Sequence, residues 1–279
     1  MTGSNFERQS DSRGIVTGES EDLDKEQSLS LGAAYHRAGK VIVQPNRSEF
    51  GLAGAGMIAA VSLISIQERG AFNLALAGSS TPGLVYELLA EVPDIDWKRT
   101  CVFWSDERCV PLDHADSNYR MARETLLDLL PQSPRIVARM HVELPPEQAA
   151  GAYEETIREI VPAGESGIPL FDLILLGMGD DGHTASLFPG SEALNVTDRI
   201  VAADFVSKFS SYRLTFTYPL LNAGRHVLIL VSGASKADTL NAVLKGPQRP
   251  KALPVQGVQP TKGQLKWLVD ADAAQSIRN

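Results

Sequence analysis

From about residue 38 onward, short apolar runs alternate with longer stretches whose apolar positions recur every three or four residues. The short runs are KVIVQ (40–44), FNLALAG (72–78), TCVFWS (100–105), ARMHVE (138–143), FDLILLG (171–177), YRLTFT (212–217), HVLILVSG (226–233) and KWLVD (266–270). Short, aliphatic and β-branched runs bounded by glycine and small polar residues predict strands. The stretches Phe50–Glu68, Pro82–Ala90, Asn118–Leu130, Pro146–Ile160 and Lys236–Leu244 predict helices between them. Strand alternating with helix predicts a mostly parallel sheet covered on both faces. The Pro- and Gly-bearing stretches 161–169 and 246–263 read as loops within one domain over residues 31–279, because no break in composition splits it.

Composition narrows the function classes. A net charge of −8 argues against a general binder of nucleic acid or anionic membrane, so an anionic ligand must be held by a few locally placed cations. The two cysteines, Cys101 and Cys109, offer neither a disulfide framework nor zinc-type spacing, which fits a reducing compartment. Apolar patches near 51–66 and 171–178 read as too short, or too broken by glycine, to span a membrane. The start carries seven acids (Glu7, Asp11, Glu19, Glu21, Asp22, Asp24, Glu26) against three bases (Arg8, Arg13, Lys25). It has no apolar core after a basic segment and fits a transit peptide poorly, so residues 1–30 are expected to be a disordered acidic tail on a cytoplasmic protein.

The candidate chemistry gathers at strand ends, where ligands bind in open α/β sheets. FDLILL runs into GMGDDGHTASLFPGS (177–191), which places Asp181 and His183 together on a glycine-rich turn. Taken alone, a D-G-H triplet reads better as a turn whose aspartate caps the next helix. FNLALAG ends in Gly78, Ser79, Ser80 and Thr81 before Pro82: either an ordinary N-cap or a phosphate cradle of N–H groups and hydroxyls. TCVFWS ends in Asp106-Glu107-Arg108, a set that either binds a hydroxyl and an anion or forms a structural ion pair. Arg213 opens YRLTFT and Lys236 follows HVLILVSG; arginine suits bidentate phosphate recognition and lysine supplies a point charge. Each feature has an ordinary structural explanation. Four strand ends offering hydroxyls, amides, cations and an Asp/His pair together match a phosphorylated polyol better than coincidence does.

Several long motifs then carry a resemblance. SDERCVPLDHADSNYRMARETLL, FDLILLGMGDDGHTASLFPGS, RLTFTYPLLNA with VSGASKAD, and the C-terminal GQLKWLVDADAA are similar, in this order, to the 6-phosphogluconolactonases of the glucosamine-6-phosphate isomerase/6-phosphogluconolactonase superfamily, over about residues 40–275. The resemblance implies a Rossmann-like three-layer α/β/α sandwich. It also implies hydrolysis of 6-phosphoglucono-δ-lactone to 6-phosphogluconate, the second step of the oxidative pentose phosphate pathway, without metal or organic cofactor. By motif, His183 is the general base with Asp181 beside it, and Arg108, Arg213 and Lys236 lie near the substrate phosphate, with Asp106 and the 78–81 loop also on the substrate. Ser79 stands where the family usually has a second glycine.

Backbone N–H groups of the 177–182 loop are the expected site for the oxyanion. The expected partner is a small-molecule sugar phosphate, with no nucleic acid and no membrane, bound by a monomer or weak homo-oligomer. The deaminase branch looks like DGHIAFNEPG at this loop; here Leu187-Phe188 leaves no carboxylate for ring opening, which disfavours that activity. A non-catalytic sugar-phosphate sensor is the other alternative, although no output module is legible in the first 40 residues.

Overall fold

The parallel sheet that the alternation predicts has seven strands. The computed structural model describes residues 39–277 together with Met1, and the tail expected over residues 1–30 lies outside them. In chain order the elements are β1 (Lys40–Gln44), α1 (Arg47–Arg69), β2 (Phe72–Leu76), α2 (Ser80–Ala90), β3 (Thr100–Trp104), β4 (Asp106–Arg108), α3 (Asn118–Thr125), β5 (Ile136–Val137), α4 (Pro146–Ile160) and β6 (Leu173–Gly177). They continue with β7 (Val201–Val206), β8 (Ser211–Phe216), α5 (Tyr218–Leu221), β9 (His226–Val231), α6 (Ala237–Lys245) and β10 (Gln264–Asp270). The sheet order is β1-β10-β9-β6-β2-β3-β5, every pair parallel. From β2 the chain steps outward through β3 to β5, and from β6 it steps the other way through β9 to β10. The order therefore reverses between β2 and β6, the place where open α/β sheets form a crevice.

Successive strand residues point to opposite faces, and the two cores divide accordingly. Leu74, Leu76, Val102, Trp104, Leu175 and Leu228 pack with Phe50, Ile58 and Val85 under α1 and α2. Ala75, Phe103, Ile174, Leu176 and Ile229 face Tyr153, Ile157, Phe171 and Leu240 on the other side. Helix α1 starts where the Asn46 side chain accepts the Glu49 N–H at 2.9 Å and stops at Gly70, whose φ of 78° supplies the left-handed cap. Its 23 residues correct one expectation: by length and composition alone α1 is long and apolar enough to cross a membrane. Its glycines do not break it, since Gly51 and Gly54 are buried on the packed side beside Phe50, Ala55 and Ile58.

Two further expectations change. YRLTFT does not join the parallel sheet; as β8 it is the centre of a separate antiparallel sheet, β4-β8-β7. The chain crosses from one sheet to the other through Ser105. Its N–H donates to the Leu76 carbonyl and its own carbonyl accepts from Phe216 N–H, each at 2.8 Å. ARMHVE is not a strand. Only Ile136–Val137 pair with β3, after which one more bond forms, from Ala138 N–H to the Val102 carbonyl. The buried Tyr153 hydroxyl lies 3.2 Å from the Ala138 carbonyl, and local bonds between Val142 and Met140 and between Leu144 and His141 turn the chain away.

Candidate active site

At the reversal point, the loops after β2 and β6 face the small sheet across a cavity of about 350 Å³. Gly78, Ser79, Asp106, Arg108, Gly179, His183, Arg213 and Lys236 all line it. Larger clefts, of about 610 and 1240 Å³, include the sheet's opposite edge around Arg69 and Arg225. Volume is a poor guide here: of these three, the cavity at the reversal point combines an imidazole with two arginines that form no ion pair among the described residues.

The loop that carries His183 is built from backbone turns. Gly179 N–H donates to the His183 carbonyl at 2.9 Å, Gly182 N–H to the Gly179 carbonyl at 3.1 Å, and the Thr184 hydroxyl to the Gly177 carbonyl at 2.7 Å. This fold brings the imidazole directly over Gly179, where a β-carbon would stand 2.0 Å from His183 Nδ1. Only glycine leaves that space. Nδ1 meets Asp181 Oδ1 at 2.5 Å. An ionised carboxylate only accepts, so Nδ1 carries the proton it donates to Asp181. Burial opposes the charge on Asp181, but hydrogen bonds from His183 and from Lys208 Nζ (3.0 Å) outweigh it and hold the carboxyl at about 2. Phe188 stacks on the imidazole with ring centroids 4.3 Å apart and planes at 29°.

The arginines come from the small sheet. Arg108 and Arg213 are direct cross-strand partners in the β4–β8 ladder. Neither forms an ion pair among the described residues, and the Nε of each is buried without a hydrogen-bond partner. Burial, and then the neighbouring Arg108 charge, push the Arg213 guanidinium below its usual range. Asp106, Asp116 and Glu107 partly offset this, and the arginine pair, with no ion pair of its own, is suited to an anion. Arg108 Nη1 also donates to the Asp116 carbonyl at 2.5 Å, and the face of Phe209 lies 4.8 Å from the Arg213 guanidinium carbon. Lys236, which follows β9, also lines the cavity and is paired with Asp180 at 2.5 Å, which lowers the Asp180 carboxyl.

The other candidates divide. Asp106 lines the cavity, but one carboxylate oxygen already accepts the Ser186 hydroxyl at 2.7 Å. Glu107 is structural: it accepts the backbone N–H groups of Arg108, Asn118 and Tyr119 and so caps α3. Burial raises its carboxyl, and those three bonds only partly offset the rise. Gly78 and Ser79 reach the cavity, whereas Ser80 and Thr81 do not line it. Ser79 sits at φ 81° and ψ 171° and its side chain caps no N–H of α2. Asp181 touches the cavity only through His183. Sequence reasoning missed Phe188, Lys208 and Phe209; two were aromatics in apolar or loop settings and the third was a single surface cation. Among the described residues, no three His, Cys, Asp or Glu side chains gather to hold a metal ion.

A sheet that reverses beside a cavity holding an Asp-held histidine and paired guanidiniums defines a doubly wound α/β protein with an anion-suited site beside an imidazole. Residues 45–267 match the family model "Glucosamine-6-phosphate isomerases/6-phosphogluconolactonase". The 6-phosphogluconolactonase of Synechocystis is 43% identical over 216 residues, covering 77% of this chain and 88% of that protein. The probable 6-phosphogluconolactonase 1 of Arabidopsis thaliana is 37% identical over 261 residues, covering 89% and 97%. The solved 6-phosphogluconolactonase of Trypanosoma brucei superposes with a TM-score of 0.74 at 29% identity, over 86% of this chain and 98% of that one. The chain belongs to the glucosamine-6-phosphate isomerase/6-phosphogluconolactonase family, on its 6-phosphogluconolactonase side.

Proposed function

We propose that the chain hydrolyses 6-phosphoglucono-δ-lactone to 6-phosphogluconate, with His183 as the general base. The observation that carries this reading is one cavity holding an imidazole whose Nδ1 is fixed by Asp181 and two guanidiniums with no carboxylate partner. Arg108 and Arg213 bind the phosphate, and Lys236 adds charge. This leaves the lactone carbonyl toward Nε2. A lactone is an activated ester, so no covalent nucleophile is needed. Nε2 takes a proton as water adds to the carbonyl carbon, and Asp181 stabilises the imidazolium. The carbon–ring-oxygen bond then breaks, and the imidazolium returns its proton to the departing oxygen. Leu187 and Phe188 are buried where the deaminase branch carries a carboxylate, which supports lactone opening over deamination.

The test is hydrolysis of freshly generated lactone with spontaneous opening subtracted. Wild type should far exceed the blank, and His183→Ala should lose about 10²- to 10⁴-fold in kcat, the span of general-base catalysis. A wild type no faster than the blank removes the lactonase reading, and ammonia release from glucosamine 6-phosphate then becomes the assay. Retained turnover in His183→Ala removes the base.

A further inference from the structure

The turn between β7 and β8 is a single 3-10 turn, Ser207–Phe209, closed by Ser210 at φ 47°. It presents two side chains to the site. Lys208 holds Asp181 at 3.0 Å. Phe209 is 46% exposed, so core packing does not account for an aromatic here. Its ring meets Phe188 edge-on, with centroids 5.6 Å apart and planes at 66°, and the Arg213 guanidinium lies over its face at 4.8 Å. Because Phe188 also stacks on His183, the contacts run without a gap from His183 through Phe188 and Phe209 to Arg213.

The two ends of that series come from different sheets. His183 follows β6 of the parallel sheet, and Arg213 lies on β8 of the antiparallel one. We propose that Phe209 is a positioning residue that sets the base against the phosphate-binding arginine, holding His183 through the Phe188 edge and Arg213 through its own face. This rests on the lactonase reading for its kinetic consequences, but not for its effect on anion binding. The two contacts have different chemistry. An edge-on aromatic packing is replaceable by another apolar side chain, whereas a cation over a ring face requires a π system.

Three variants separate them: Phe209→Leu, Phe209→Ala and Phe209→Tyr. Binding of inorganic phosphate and of 6-phosphogluconate by calorimetry is measured beside lactone hydrolysis and thermal unfolding. Phe209→Leu should raise KM and both dissociation constants by about 2- to 20-fold, the range a cation–π contact spans, with kcat near wild type. Phe209→Ala should add a fall in kcat of about 2- to 10-fold as the Phe188 packing is lost. Phe209→Tyr should restore both. The proposal is overturned if leucine binds the anions as wild type does, if tyrosine fails as alanine fails, or if wild type binds neither anion. Anion binding weakened in the leucine variant, with wild type no faster than the blank, keeps the Phe209–Arg213 contact and removes only the lactonase reading.

Discussion

Ser79 occupies backbone space that side chains other than hydrogen avoid. With φ 81° and ψ 171°, it lies in the region populated almost solely by glycine, at a cost of about 1–3 kcal/mol. Ser79→Gly removes that cost. It also returns conformational freedom to the unfolded chain, which subtracts about 0.4–1 kcal/mol. The net expectation is a gain of about 0.5–2 kcal/mol. The serine hydroxyl makes no capping bond that would be lost. For a domain of this size a gain of that order raises Tm by about 1–8 °C. The assay is thermal unfolding followed by circular dichroism without ligand, with Ser79→Ala alongside. Alanine keeps the β-carbon and drops the hydroxyl, so it should show no such rise. A glycine variant no more stable than wild type, or an alanine variant that rises equally, refutes the strain argument.

Two other expectations follow from the base loop. Gly179→Ala drives a methyl to within 2.0 Å of His183 Nδ1, and because the obstacle is a side chain the fold should give way there instead of unfolding. Its kcat should fall about 100-fold, the cost of displacing a catalytic group by an ångström, with Tm little changed in the same preparation. Asp181 has its carboxyl lowered from 3.8 to about 2, so its ionised form favours the folded state, and this stability is present above pH 4 and lost as pH falls toward 2. Asp181→Asn should therefore unfold more readily than wild type at pH 5, and the gap in Tm should close between about pH 4 and pH 2; a constant gap argues against an ionic role.

The parallel core was readable because buried central strands leave little choice of residue. FNLAL, TCVFW, LILLG and HVLILV are almost wholly buried, and their runs are correspondingly continuous. Helix α4 was predicted at its observed limits, with Pro146 opening it. The small sheet was harder. VAADFV alternates only weakly, and nothing local in YRLTFT says which sheet it joins, since that depends on partners about 10 and 100 residues away. ARMHVE misled because Ala138 and Met140 are buried anchors of a turning segment, which gives it the apolar spacing of a strand. At the site, His183 and Arg213 became candidates only beside the other strand ends and through the family motifs, since each alone reads as an ordinary turn or surface residue. Phe188 and Phe209 were not, since an aromatic that orients a neighbour looks the same in sequence as one that fills a core.

The paired arginines are partners on one rung of the β4–β8 ladder, so strand pairing, and not the loop that carries His183, sets their backbones side by side. The proposed phosphate seat and the proposed base thus come from separate parts of the chain. Under the proposed reading, changes within Gly177–Phe188 act first on the reaction and changes at Arg108 or Arg213 act first on the phosphate. A family whose name joins isomerases with lactonases is the kind of lineage such a division would permit.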